Sequence, residues 1–217
     1  MEKKYGHMKK PIIIIQEKIK LIHIFKFKFN LKMEKIYYVE QIENIPGLYY
    51  IENVIDNDEE LIKTIDKYRW IPITSHSNSR VVQHYGYTYD YFRKKIEKTV
   101  DIPDFLLELK TTLSEICNEL EIINNDYNFN QCIINNYNNN QSISKHIDLN
   151  TFGSVIGCFS LGSECSMRFQ KGSEKYDIKI KPNSLYIMSG ESRYVWTHEM
   201  IKNTNSERRI SITFRKV

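Results

Sequence analysis

The plainest periodicity lies at the end of the chain. In "RRISITFRKV", residues 208–217, apolar and polar positions alternate. On a strand Ile210, Ile212 and Phe214 would take one face, and Arg209, Ser211, Thr213 and Arg215 the other. Similar short runs fill the chain beyond Asn124: "NFNQCIINNY", "SVIGCFSLG", "CSMRFQ", "KYDIKIK", "NSLYIMSG" and "YVWTHE". Each reads as a strand bounded by turn residues. Ahead of them the period changes. "GLYYIENVI" reads as one strand, and "DNDEELIKTIDKYRW" as a helix that opens on acidic capping residues and runs through Leu61, Ile62, Ile65 and Trp70. "PDFLLELKTTLSEICNELEI" is a second amphipathic helix with Pro103 near its start. Helices first and many short strands afterwards predict an α+β protein whose sheet sandwich or barrel is buttressed by N-terminal helices.

A chain of 217 residues, 41% hydrophobic, has room for one good core. Charge is spread unevenly along it. Residues 1–32 carry nine Lys against two Glu, so the overall +4 leaves −3 for residues 33–217. If the body binds nucleic acid, a local patch must do it. The first 32 residues look unlike the rest, with "FKFKF" at strand period and charge on one face. They read as a basic leader, either a disordered tail that touches phosphates, a targeting segment, or an extension upstream of a protein that starts at Met33. The domain is expected over 33–217, with its barrel core at about 125–217. Cys117, Cys132, Cys158 and Cys165 show no CxxC or zinc-finger spacing. They are expected as buried free thiols of a reducing compartment, cytoplasm or nucleus. No apolar run approaches the roughly 20 residues of a membrane helix.

Candidate chemistry begins with "SKHIDLN", where His146 and Asp148 stand two apart, and continues with His198 at the end of an aromatic strand. Either histidine alone reads as structural. Two histidines and one carboxylate on strands, however, form the facial triad that suits non-haem Fe(II) oxygenases, with three coordination positions left open. Arg209 and Arg215 sit ~20 Å apart on one strand face, so their side chains could approach a small dianion from its two ends. An ordinary exposed strand face remains the alternative.

Taken together, "HID", "SLGS", "NSLYIMSGESRYVWTHEM" and "RRISITFRKV" resemble the AlkB family of Fe(II)- and 2-oxoglutarate-dependent dioxygenases. The resemblance covers about residues 43–217 and is strongest over 130–217. It implies a double-stranded β-helix, or jelly roll, with His146, Asp148 and His198 as iron ligands. It further implies Asn135 and Tyr137 at 2-oxoglutarate, Arg209 on its distal carboxylate, and Arg215 as the second arginine of the Arg-x5-Arg signature. "SLYIMSGESRYVWTH" and "FRKV" are most similar to the branch that hydroxylates modified wobble uridine in tRNA. No RNA-recognition module or methyltransferase domain accompanies them here, and the family glycine after Asn-x-Tyr is replaced by "NNNQ".

The implied reaction consumes dioxygen and 2-oxoglutarate, releases succinate and carbon dioxide, and hydroxylates a C–H bond. An N-methyl carbon would then leave as formaldehyde, whereas a stable side-chain carbon would remain an alcohol. The implied partner is RNA or single-stranded DNA, bound by a monomer away from any membrane. His84, Tyr85, Tyr87 and Tyr89 lie where the family keeps its nucleotide-recognition lid, and Arg80 and Lys94 could meet phosphates. Arg193 could close the site or pair with Glu191, while Met188 and Trp196 read as core beside the metal. Two alternatives stay open: a dioxygenase acting on protein or lipid, suggested by the acidic body, and a non-catalytic barrel binding RNA or a partner, suggested by the altered turn.

Overall fold

The computed structural model describes residues 22–29, 33–76, 78–90, 92–93, 95–201 and 207–217, with side chains from Tyr37 onward. The remaining leader positions and Lys94 lie outside the described residues.

The N-terminal half supplies β1 (Ile22–Phe29), β2 (Met33–Gln41), β3 (Leu48–Ile51), α1 (Asp58–Ile65), β4 (Ile71–Pro72), β5 (Val81–Tyr85), β6 (Tyr87–Asp90) and β7 (Lys95–Lys98). A 3₁₀ turn, Asp104–Leu106, leads into α2 (Leu107–Glu119). Then follow β8 (Gln131–Tyr137), β9 (Ile143–His146), β10 (Ile156–Gly162), β11 (Cys165–Lys171), β12 (Glu174–Ile180) and β13 (Ser184–Met188). The chain closes with α3 (Gly190–Tyr194), β14 (Thr197–Met200) and β15 (Arg209–Arg215). Among the described residues a large sheet runs β1-β2-β3-β13-β10-β15-β8-β5-β4, a smaller one β12-β11-β14-β9, and β6 with β7 makes a separate ribbon.

The result is the α+β sandwich that the strand pattern predicts, and the jelly roll that the family resemblance implies, with two cores separated by the large sheet. Alternation assigns Leu185, Ile187, Ile210, Ile212 and Phe214 to the face that packs on Leu109, Leu113 and Ile116 of α2 and Ile65 of α1. The opposite face of the same strands offers Tyr137, Cys158, Tyr186 and Met188 to Met167, Phe169 and Met200 of the smaller sheet. The polar side of β15 is therefore no exposed surface: Arg209, Ser211, Thr213 and Arg215 are all buried between the sheets.

Two local expectations change. The α1 helix stops at Ile65 and leaves Trp70 outside, because Gln83 takes up terminal carbonyls by donating to the carbonyls of Ile65 and Tyr68 at 3.0 and 3.2 Å. Trp70 instead donates its indole N–H to Asp66 at 3.1 Å. "YVWTHE" is a strand only from Thr197, since residues 190–194 turn as α3 behind a Ser189/Ser192 capping box. "FKFKF" does pair as a strand, β1 against β2 from Ile22↔Glu40 to Phe29↔Met33. The sheet that carries the barrel core thus gains β1 to β5 from before residue 125, on both of its flanks.

The α2 helix approaches the sheet at Gly157, where an added Cβ would lie 2.3 Å from Leu113 Cδ1, itself fully buried. Gly157→Val should therefore push α2 outward and destabilise the protein by about 1–3 kcal/mol, read as a lower chemical-denaturation midpoint.

Candidate active site

Antiparallel pairing builds the centre. His146 on β9 stands opposite His198 on β14, so both rings leave the smaller sheet on one face, with centroids 4.3 Å apart. Asp148 follows just beyond β9 on the loop that crosses to β10 in the large sheet. The ligand atoms of His146, Asp148 and His198 all lie within 4.8 Å of one another. The carbonyl of Ser144 accepts from His146 Nδ1 at 2.7 Å, which leaves Nε2 for a ligand.

Arg215 reaches across from the large sheet. Its Nε and one terminal nitrogen both bond Asp148 Oδ1, at 3.0 and 2.9 Å. The other oxygen, Oδ2, is buried with no hydrogen-bond partner and lies 3.5 Å from His198 Nε2. An orphaned carboxylate oxygen beside two imidazole nitrogens is a donor set that fits a divalent metal. The protonation states agree. Burial and the neighbouring His146 hold His198 down at about 3, hence neutral. For Asp148 burial raises the pKa, but Arg215 and the histidines outweigh it and bring it to about 2, hence ionised.

Six residues back along the same strand, Arg209 pairs in register with Tyr137, and Ser211 pairs with Asn135. Arg209 is 3% exposed, yet its guanidinium has no carboxylate partner among the described residues. It donates to Ser160 Oγ at 3.1 Å and Met200 Sδ at 3.3 Å, lies 5.4 Å from the Tyr137 ring centre, and keeps one terminal nitrogen unsatisfied. A buried, unneutralised arginine is a seat for an anion. The amide oxygen of Asn135 accepts from Arg80 Nε at 3.2 Å.

One cleft between the sheets brings together all seven residues expected at metal and co-substrate: Asn135, Tyr137, His146, Asp148, His198, Arg209 and Arg215. It also includes Ile143, Met167, Tyr186 and Met200, which sequence reasoning missed. The signal for Tyr186 was present, since it lies two positions from Ser184 and Met188 on the face opposite the core-directed Leu185 and Ile187. The "NNNQ" turn closes without glycine because Asn140 adopts φ +62°, while Gln141 accepts from the Asn138 N–H at 2.8 Å.

The expected substrate residues are dispersed. Arg80 sits at the cleft beside Asn135 and 6.0 Å from the Tyr137 ring. His84 pairs with Ile133, on the cleft side of β5. Tyr85, its neighbour, must face the other way; it is buried in the helix-side core with its hydroxyl on Gln83. Tyr87 and Tyr89 lie on the β6–β7 ribbon, and Tyr89 meets Phe152 edge-on at 6.0 Å. Arg193 does not pair with Glu191, which binds Lys171 at 2.8 Å instead. It is 1% exposed and donates to four main-chain carbonyls. Met188 and Trp196 are core, as expected, and the four cysteines are buried and free.

Two histidines and a carboxylate on one face, backed by buried arginines, define a mononuclear oxygenase centre of the facial-triad type. The chain belongs to the 2OG-Fe(II) oxygenase superfamily, whose family model matches residues 50–215. Fe(II) and 2-oxoglutarate are accordingly the metal and co-substrate that this site takes. The chain is 34% identical over 160 residues to the tRNA (carboxymethyluridine(34)-5-O)-methyltransferase alkbh8 of Xenopus tropicalis, covering 70% of this chain and 25% of that protein. It is 28% identical over 212 residues to the Alkylated DNA repair protein ALKBH8 homolog of Arabidopsis thaliana, covering 80% and 59%. Uncharacterized protein L905 of Acanthamoeba polyphaga mimivirus is 30% identical over 85% of this chain and 91% of its own. The chain thus spans a quarter to about six-tenths of the first two relatives. The structure of OsALKBH1 superposes with a TM-score of 0.63 at 13% identity, over 82% of this chain and 100% of that one, a likeness of fold. No helix among the described residues is long and apolar enough to cross a membrane.

Histidines that are kept neutral make the metal-free protein acid-sensitive. Burial and Arg215 lower His84 to about 4, and His198 lies lower still, so between pH 6.5 and 4 the unfolded chain takes up protons that the folded one refuses. Asp148, also held below its ordinary value, acts with the same sign, but only below about 3.8. The melting temperature should fall as pH drops from 6.5 to 4, and His84→Gln should flatten part of that slope.

Proposed function

We propose that this protein is a 2-oxoglutarate-dependent oxygenase of nucleic-acid bases, with a modified uridine of tRNA as the first substrate to test. The observation that carries the chemistry is Arg209, a buried cation with no carboxylate partner among the described residues, in the same cleft as a three-donor metal cluster. His146, Asp148 and His198 would hold Fe(II), which with 2-oxoglutarate and dioxygen supplies the oxidising power.

The chain's own residues do the rest. Arg209 binds the distal carboxylate of 2-oxoglutarate, with the Tyr137 ring beside it and Asn135 further along the same face. Arg215 keeps Asp148 ionised and turned so that one oxygen faces the metal position. Ile143, Met167 and Met200 line the cleft with apolar surface and exclude water. Arg80 at the mouth is placed for a phosphate. The ribbon that carries Tyr87 and Tyr89 adds the exposed Phe92 and its neighbour Arg93 in its turn, a composition suited to an unpaired base and its backbone. Support for tRNA comes from the relatives named for uridine modification, and support for repair from the Arabidopsis relative named for alkylated DNA. Such substrates suggest a cytoplasmic or nuclear enzyme.

The test is nucleoside mass spectrometry after incubation with Fe(II), ascorbate and 2-oxoglutarate, on tRNA carrying modified uridine and on N-methylated single-stranded oligonucleotides. A uridine that gains one oxygen, without formaldehyde, supports the tRNA reading. Loss of methyl with formaldehyde released makes the protein a demethylase, and succinate formation with neither nucleic acid altered would overturn the assignment. His146→Ala should abolish succinate release. Arg209→Ala should raise the KM for 2-oxoglutarate at least ~30-fold, the equivalent of the ~2 kcal/mol lost when a buried charge loses its partner.

A further inference from the structure

Arg193 is an almost completely buried cation of the site region that does not line the cleft and forms no ion pair with a carboxylate among the described residues. Its fork is filled by backbone. Nε donates to the carbonyl of Gly153 at 3.1 Å, Nη1 to that of Asp148 at 3.1 Å, and Nη2 to those of Leu149 and Phe152 at 2.6 and 2.9 Å. All four acceptors belong to one short loop.

Both ends of that loop do something. Asp148 begins it and offers its side chain to the metal position and to Arg215. Phe152, near its end, lies 5.0 Å from the Arg215 guanidinium and meets Tyr89 of the ribbon edge-on. The loop is also where the chain crosses from the smaller sheet, at β9, to the large one, at β10. Arg193 stands on another crossing between the two sheets, in α3 between β13 and β14.

The base from which it reaches is fixed. The Ser192 N–H bonds the Pro46 carbonyl at 2.9 Å, and Ser189 bonds the Gly47 carbonyl through both its N–H and its hydroxyl, at 2.9 and 3.2 Å. Gly47, at φ +83°, comes so close that a Cβ there would lie 2.1 Å from the Ser189 carbonyl oxygen. An anchored short helix therefore carries a rigid planar fork onto a loop that has no ladder of its own. Lysine could not replace it, since a point charge with three donors cannot span four acceptors in that geometry.

We propose that Arg193 is a positioning residue of the metal centre, acting through the backbone of residues 148–153 to set Asp148 for the metal and Phe152 for the ribbon as one unit. This rests on the metal-centre reading above. The test is titration with Co(II), an air-stable substitute for iron, followed by visible d–d absorption in wild type, Arg193→Lys, Arg193→Gln and Arg208→Gln. Arg208 makes a two-pronged ion pair with Asp66 outside the cleft, and serves as the structural control. Both Arg193 variants should bind Co(II) about 10–100-fold more weakly, the range typical of groups that orient metal ligands, with altered band intensities. Arg208→Gln should lower the melting temperature yet keep wild-type affinity.

Wild-type affinity and spectrum in Arg193→Lys would overturn the proposal, leaving the metal centre standing. Co(II) bound no better by wild type than by His146→Ala would overturn both. Should the Arg193 variants fail to fold, hydrogen exchange on the wild-type protein decides. Zn(II) loading should then slow exchange in 149–153 and 190–194 together, and protection confined to the first segment counts against the link.

Discussion

Asp148 is the point on which the site turns, because it divides its two oxygens between different tasks. One is taken twice by Arg215, and the other is left bare towards two imidazoles. An isolated carboxylate at this depth would protonate, since burial alone pushes its pKa up. The arginine reverses that and, by occupying only Oδ1, fixes which lone pairs remain for a metal. The pair does not close the charge account of the cleft. Arg209 adds a second buried cation with nothing opposite it among the described residues, so the site is left short of an anion. A dicarboxylate co-substrate answers that shortage, and the family to which the chain belongs uses one.

Much of this was legible in the sequence because strands have a period of two. The alternation in β15 assigned Arg209, Ser211, Thr213 and Arg215 to one face and Ile210, Ile212 and Phe214 to the other, and the structure keeps that assignment. The His146/Asp148 pair is not read that way, because Asp148 stands on the loop beyond β9, and the meeting of the histidines follows from strand pairing that no local pattern can report. The same rule also explains a residue that parted from its neighbours: with His84 on the cleft side of β5, Tyr85 has to join the helix-side core.

What stayed hidden is what backbone satisfaction decides. Nothing near Ile65 announces that Gln83, eighteen residues on, will bond the helix's last carbonyl and that of Tyr68 just beyond it, with Trp70 left outside. Nor does "GESRYVW" reveal that its arginine serves carbonyls some forty residues upstream and not the glutamate two positions away. Short segments such as β9 and α3 lack the length for a periodic signal, so tertiary contacts define them.

The histidines are carried by the smaller sheet and the arginines by the larger, with Asp148 on the thread between them. An ion held by His146, Asp148 and His198 would therefore sit at the seam of the sandwich, like a rivet at the join of two plates. A ligand that needs both plates in register binds only the closed form, so by mass action its concentration adds directly to the work of prising them apart. Iron supply would set the mechanical durability of this protein as well as its turnover, and a cell short of the metal would hold a looser sandwich.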